Sequence, residues 1–174
     1  MAQKTNTKQL TICAMLCALG VVFLWIGSAL EVAEISMAVI ASLLCVIAVI
    51  EYGGAAPWLV FAATATLSLL LLPNKGTALT YVLFFGYYPI IKEKLEKKPK
   101  VLCWVLKEVI FHVALVALFF MWRWLLFPTV GSIPFVLYLL ILLAFEVVFV
   151  LYDVALTRLI SLYLFRLRRR FRWK

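Results

Sequence analysis

The sequence predicts an all-α integral membrane protein, a bundle of about six transmembrane helices with both termini on the cytoplasmic side. Hydrophobic residues make up 67% of the 174 residues, and charged residues only 14%. Soluble domains are about 45–50% apolar and about 25% charged, so a water-soluble fold of this length would leave a large apolar surface exposed. Contact with lipid removes that difficulty, and the length suits a single helical domain.

Clusters of charge, glycine and proline divide the chain into apolar segments close to the roughly 20 residues that a spanning helix needs. The predicted spans are residues 10–30, 35–50, 57–72, 77–91, 101–127 and 135–165. A basic hinge over residues 92–100 separates the fourth span from the fifth, and a basic tail over residues 166–174 follows the sixth. The second and third spans are short enough to form a re-entrant or tilted pair instead.

The distribution of basic residues predicts the orientation. All but three of the 17 lysines and arginines lie in the N-terminal segment, in the hinge, or between Arg158 and Lys174. Lysine and arginine are retained on the cytoplasmic side, and an even number of spans brings both termini to one side. We therefore expect a multi-pass protein of the cell membrane, with the hinge and both termini in the cytoplasm.

The net charge of +9 does not require a nucleic-acid partner. The basic tail directly follows a predicted span, where basic residues are attracted to anionic lipid headgroups by about 1 kcal/mol each. We therefore expect the lipid bilayer, rather than nucleic acid, to be the partner of this tail.

The sequence shows no catalytic or metal-binding motif. The four cysteines lie in or beside apolar segments without CxxC spacing, which is typical of small buried hydrophobic residues. The chain has one histidine and lacks HExxH, GxSxG and a Gly-rich phosphate loop. We expect neither an enzyme nor a bound cofactor or metal.

Charged residues within the predicted spans are candidates for function, because a charge inside a bilayer is costly. Glu108 and His112 are four residues apart and share a helix face, whereas Lys107 is expected to reach back to the cytoplasmic surface. Glu146 and Asp153 are seven residues apart on the sixth span, with Asp153 near its inner boundary. For Glu146, two roles stay open: an interhelical hydrogen bond, for example to His112, or a ligand or coupling role.

Ala14 and Ala18 are small residues four apart in the first span, a spacing that lets another helix approach closely. Residues 8–20 around them read KQLTICAMLCALG. Together with the short basic N-terminus, the six predicted spans and the basic hinge, this segment resembles the S component of energy-coupling factor (ECF) transporters. The resemblance covers the layout of the whole chain, and its residue-level pattern lies in the first span.

The resemblance implies partners and a ligand. In that family the first-span alanine face docks on a transmembrane coupling subunit driven by two ATPases, and Ala14 and Ala18 would form that face here. A vitamin-like small molecule would bind from the external side. The matching polar residues are Glu31, Glu34, Asn74, Lys75 and Arg123. Because this set is small, the expected ligand is a fairly apolar micronutrient.

Two other functions stay open. A non-transporting membrane scaffold, as in envelope biogenesis, would use the same fold to bind other membrane proteins, because fold alone does not determine function. A self-sufficient carrier or channel would use Glu146 and His112 as a polar relay. The carrier is the less favoured of the two, because the sequence shows no clear internal repeat.

Overall fold

The computed structural model describes residues 7–30, 33–121 and 135–167, which are helical apart from short turns and contain no strand. The helices in chain order are α1 (Thr7–Leu30), α2 (Glu34–Glu51), α3 (Ala56–Leu71), α4 (Lys75–Thr80), α5 (Tyr88–Leu95), α6 (Lys100–Met121) and α7 (Phe135–Leu162). Two π-helical turns, Tyr81–Phe85 and Tyr163–Leu167, follow α4 and α7. The predicted all-α class is confirmed.

Four helical segments are long and apolar enough to cross a membrane. They are Thr7–Leu30, Glu34–Glu51, Lys100–Met121 and Leu139–Phe165. At about 1.5 Å per residue, helices of this length match a hydrocarbon layer of about 30 Å. The shorter helix α3 is also apolar. These segments are consistent with a multi-pass membrane protein.

The fourth predicted span, residues 77–91, is interrupted. It is divided between α4, the π-helical turn and α5. Gly86 N donates to Tyr81 O at 2.7 Å, an i to i+5 bond that widens the turn. A Cβ on Gly86 would lie 2.5 Å from the Phe61 ring, so this turn requires glycine. Pro89, which lacks an N–H, then stands in the first turn of α5.

The chain forms two compact units, and the prediction of a single domain stays a prediction. The first unit, Met1–Pro128, contains α1 to α6, and the second, Thr129–Lys174, contains α7 and its π-helical turn. In the first unit α1 packs against both α2 and α3. Cys13, Leu16, Ala48, Ala56 and Val60 form a hydrophobic cluster among these three helices.

Glycines bring α1 close to its neighbours. A Cβ on Gly27 would lie 2.7 Å from Met37 Cβ of α2, and one on Gly20 would lie 3.2 Å from Thr64 Cγ2 of α3. Small residues permit this close packing, which is the main attraction between helices in lipid. The face of α1 that carries these glycines therefore packs against α2 and α3 within the first unit.

Candidate functional site

Asn74 joins three helices at the end of the first unit where α1 ends and α2 and α4 begin. As the N-cap of α4, its Oδ1 accepts from Gly76 N at 2.9 Å. Its backbone N–H donates to Ser28 Oγ of α1 at 2.9 Å, and its Nδ2 donates to Glu34 Oε1 of α2. We call Ser28, Glu34 and Asn74 the Asn74 cluster.

The Asn74 cluster brings together two residues that the sequence selected and one that it did not. Glu34 and Asn74, both half-buried, are direct hydrogen-bond partners. Ser28 is buried in the last turn of α1, and sequence reasoning missed it. The available signal was weak, because a serine near the end of an apolar helix is common and its distant partner cannot be read from spacing.

Lys75 stabilises the end of α3. Its Nζ donates to Leu69 O and to Leu72 O, both at 2.9 Å. The residue four positions after Leu69 is Pro73, which has no N–H to continue the helical hydrogen bonds. A cation near carbonyls at a helix C-terminus also interacts favourably with the helix dipole. This position explains Lys75 without a ligand, and its predicted role in ligand binding stays a prediction.

Thr77, the third residue of α4, has a fully buried hydroxyl. Within the part of the chain that the structure describes, Thr77 Oγ1 has no hydrogen-bond partner. A threonine in a helix often donates to the carbonyl four residues earlier, as Thr80 does to Gly76 O at 2.8 Å. For Thr77 that residue is Pro73, which precedes the N-cap and lies outside the helix. Leaving such a hydroxyl unsatisfied costs about 1–3 kcal/mol, so it is a natural contact point for a bound molecule.

The predicted docking residues Ala14 and Ala18 both lie on the exposed side of α1. The buried side of this helix carries Cys13, Cys17 and Gly20 instead. α1 therefore has two faces with small residues: an inward face that packs against α2 and α3, and an outward face that is exposed.

The polar residues of α6 are one turn apart. His112 Nδ1 lies 2.9 Å from Glu108 O and 4.0 Å from Glu108 Oε2. Glu146 and Asp153 belong to α7 in the second unit, where Thr157 Oγ1 donates to Asp153 O at 2.9 Å. The suggested pairing of Glu146 with His112 stays a prediction.

Ion pairs connect α5 to α6 at the other end of the first unit. Glu96 Oε1 lies 2.9 Å from Lys92 Nζ and 3.6 Å from Lys107 Nζ. Both lysines are buried. The sequence predicted that Lys107 reaches back to the cytoplasmic surface; that stays a prediction, and in the structure its ammonium is buried beside the Glu96 carboxylate of the hinge. Sequence reasoning missed the burial of Lys92, although the four-residue spacing of Lys92 and Glu96 is a signal that could have found their pairing.

Other predicted site residues lie outside the described residues. These are Glu31, Arg123, the loop around residues 122–134 and most of the basic tail. Comparisons of the chain with protein-family models, with curated proteins and with solved structures gave no match.

Proposed function

We propose that this chain is the membrane-embedded, substrate-binding subunit of a multi-component ATP-driven importer for a small, fairly apolar micronutrient. In this proposal it crosses the cell membrane six times, with both termini and the hinge in the cytoplasm. The observation that carries the proposal is the exposed small-residue face of α1.

The two faces of α1 support a docking role. Its close contacts with α2 and α3 are made through Gly20 and Gly27, so Ala14 and Ala18 are not needed for packing there. An exposed pair of alanines lets a helix of another subunit approach the α1 backbone closely, and such packing drives association in lipid. The partner would be a transmembrane coupling subunit. Since the chain has no nucleotide-binding motif, ATPases bound to that subunit would supply the energy.

The Asn74 cluster and Thr77 support a ligand site at the opposite end of the first unit from the hinge. The predicted orientation places this end outside the cell. The Glu34 carboxylate is held in place by the Asn74 amide, and Thr77 offers a buried hydroxyl without a partner in the described ranges. A few polar groups within an apolar surrounding suit a small molecule that is itself mostly apolar.

Co-purification tests the docking role. The chain would be co-expressed with the transmembrane coupling subunit and ATPases of its source organism. Ala14→Leu and Ala18→Leu should abolish co-purification, because each adds bulk to the exposed face. Ala62→Leu is the matched control, because Ala62 is an exposed alanine on α3. Assembly that survives both α1 substitutions would contradict the proposal.

Thermal unfolding in detergent, with a panel of vitamins and related micronutrients, tests the ligand role. A ligand at 100 times its dissociation constant stabilises the folded state by about 2.7 kcal/mol, which is measurable as a shift in Tm. Thr77→Val should weaken a ligand that bonds to the hydroxyl and should leave the unliganded protein folded. If no compound shifts the Tm, the proposed importer function is contradicted.

A non-transporting membrane scaffold is the second candidate. The observation that favours it is that Asn74 and Lys75 already have hydrogen-bond partners within the protein. Their arrangement is therefore accounted for by stability alone. In that case the α1 substitutions should disrupt binding to a different membrane protein, with no ATPase in the complex and no ligand-induced shift.

A further inference from the structure

The hinge over residues 92–100 contains five lysines and two glutamates, and the ion pairs distinguish the lysines from one another. Glu93 Oε1 is paired with Lys97 Nζ at 2.8 Å. Glu96 Oε1 is shared between Lys92 and Lys107, at 2.9 and 3.6 Å. Both carboxylates of the hinge are thus already neutralised.

The other three hinge lysines, Lys94, Lys98 and Lys100, are exposed. Among the residues the structure describes, none of the three forms an ion pair with a carboxylate. We call these three residues the hinge lysines. They present three ammonium groups on one short segment, so this segment attracts anions.

An exposed apolar stripe begins directly after the hinge lysines. Val101, Val105 and Val109 are spaced four residues apart on α6, and each is more than half exposed. Trp104, in the second turn of α6, is also exposed, and Lys107 Nζ lies 5.5 Å from the centroid of its ring. Ammonium groups are thus followed along the chain by exposed valines, with an indole ring between the first and the second valine, which suits a segment that passes from lipid headgroups to acyl chains.

The ion pairs of Glu96 hold the hinge lysines near the N-terminal end of α6, where the apolar stripe begins. Because Glu96 joins Lys92 of α5 to Lys107 of α6, it ties the end of α5 to the first two turns of α6. The backbone between these helices is short, so the hinge lysines are held close to the start of the apolar stripe.

We propose that Lys94, Lys98 and Lys100, together with Trp104, form a binding surface for the phosphate headgroups of anionic phospholipids. Ammonium groups donate hydrogen bonds to phosphate oxygens, while the neighbouring valines contact the acyl chains. This surface does not depend on the importer function. An acidic protein segment is the other possible occupant, but the adjoining exposed valines and tryptophan favour lipid.

Native mass spectrometry of the full chain, released from detergent at an ionic strength of about 0.15 M, tests this surface. At that ionic strength, charges more than about 8 Å apart are largely screened, so direct contacts dominate. Phosphatidylglycerol should bind more tightly than phosphatidylcholine. Lys98→Gln should lower the apparent affinity for phosphatidylglycerol about fivefold, and the substitution of all three hinge lysines should lower it further. Lys98→Arg should retain binding.

Lys97→Gln is the matched control. It removes one positive charge from the same hinge, but this ammonium is held by Glu93, so the affinity should fall by less than about twofold. Equal losses for Lys97→Gln and Lys98→Gln would overturn the proposal, because binding would then follow net charge alone. Equal binding of the two lipids would also overturn it, as would binding of a polyglutamate peptide in place of phosphatidylglycerol. Circular dichroism confirms that each variant is folded.

Discussion

The two ends of the first unit join their helices by different means. At one end, Asn74 links α1, α2 and α4 through hydrogen bonds of its amide and backbone. At the other end, the Glu96 carboxylate links α5 to α6 through two buried lysines. An amide both donates and accepts, so the short Asn74 side chain bonds to α2 and α4, while its backbone N–H donates to α1. A lysine has a long stem, so its ammonium can reach a partner from further along a helix.

This difference predicts that the free energy of unfolding falls more when Glu96 is lost at its end than when Asn74 is lost at the other end. Loss of Glu96 takes a carboxylate partner from two buried ammonium groups, whereas loss of the Asn74 side chain affects the half-buried Glu34 carboxylate and the neutral N–H of Gly76. Free energies of unfolding, measured by titrating a folded micellar sample with sodium dodecyl sulfate, can compare the two ends directly.

The largest effect is expected for Glu96→Ala. It removes the carboxylate shared by Lys92 and Lys107. Because both lysines are buried but Glu96 is 39% exposed, the free energy of unfolding should fall by the low end of the range for buried pairs, about 3 kcal/mol. Glu93→Ala is the control, because its pair with Lys97 is exposed and should contribute less than about 1 kcal/mol. Similar losses for the two variants would show that burial of the lysines does not matter.

Asn74→Ala should have the next largest effect. It removes the cap of α4 and the link to Glu34 but keeps the backbone N–H that donates to Ser28 Oγ, and we expect a loss of about 2 kcal/mol. Thr80→Ala removes a hydrogen bond within a single helical segment and should cost less than about 1 kcal/mol. If Asn74→Ala lowers the free energy of unfolding more than Glu96→Ala does, the prediction that the Glu96 end is the more sensitive is contradicted.

Lys75→Met should cost about 1 kcal/mol. Methionine keeps an unbranched stem but cannot donate to Leu69 O and Leu72 O at the end of α3. Lys94→Met, at an exposed hinge position, should leave the free energy of unfolding unchanged. If Lys75→Met leaves the free energy of unfolding unchanged, the Lys75 ammonium does not stabilise the end of α3 and is available to bind a ligand.

Thr77→Val should have the smallest effect, and in the opposite direction. Replacing a buried hydroxyl that lacks a partner in the described region by a methyl group should raise the free energy of unfolding by about 0.5 kcal/mol. Thr80→Val, at a hydroxyl bonded to Gly76 O, should not stabilise the protein. Destabilisation by Thr77→Val would mean that the Thr77 hydroxyl is satisfied, and would remove it from the candidate ligand site.

Glu34 and Asn74 were selected because the resemblance to ECF S components implies ligand contacts at the outer ends of the spans, where both are polar residues. The structure shows that the two are hydrogen-bonded to each other, and their role in ligand binding stays a prediction. Ser28 and the orphan hydroxyl of Thr77 depend on partners, or on the lack of partners, far away in the chain. No spacing rule gives such information.

The same distinction applies to the fold. Composition and the lengths of apolar segments determined the all-α class and membrane-length helices, because both depend on the solvent around each segment. The interrupted fourth span, the buried Lys92 and the face of α1 that stays exposed were decided by tertiary structure. Each depends on which helices approach closely: Phe61 against Gly86, Glu96 between two lysines, and Gly20 and Gly27 against α3 and α2. Apolar residues on every side of a helix favour lipid and protein neighbours alike, so only the packed structure assigns each face to one of them.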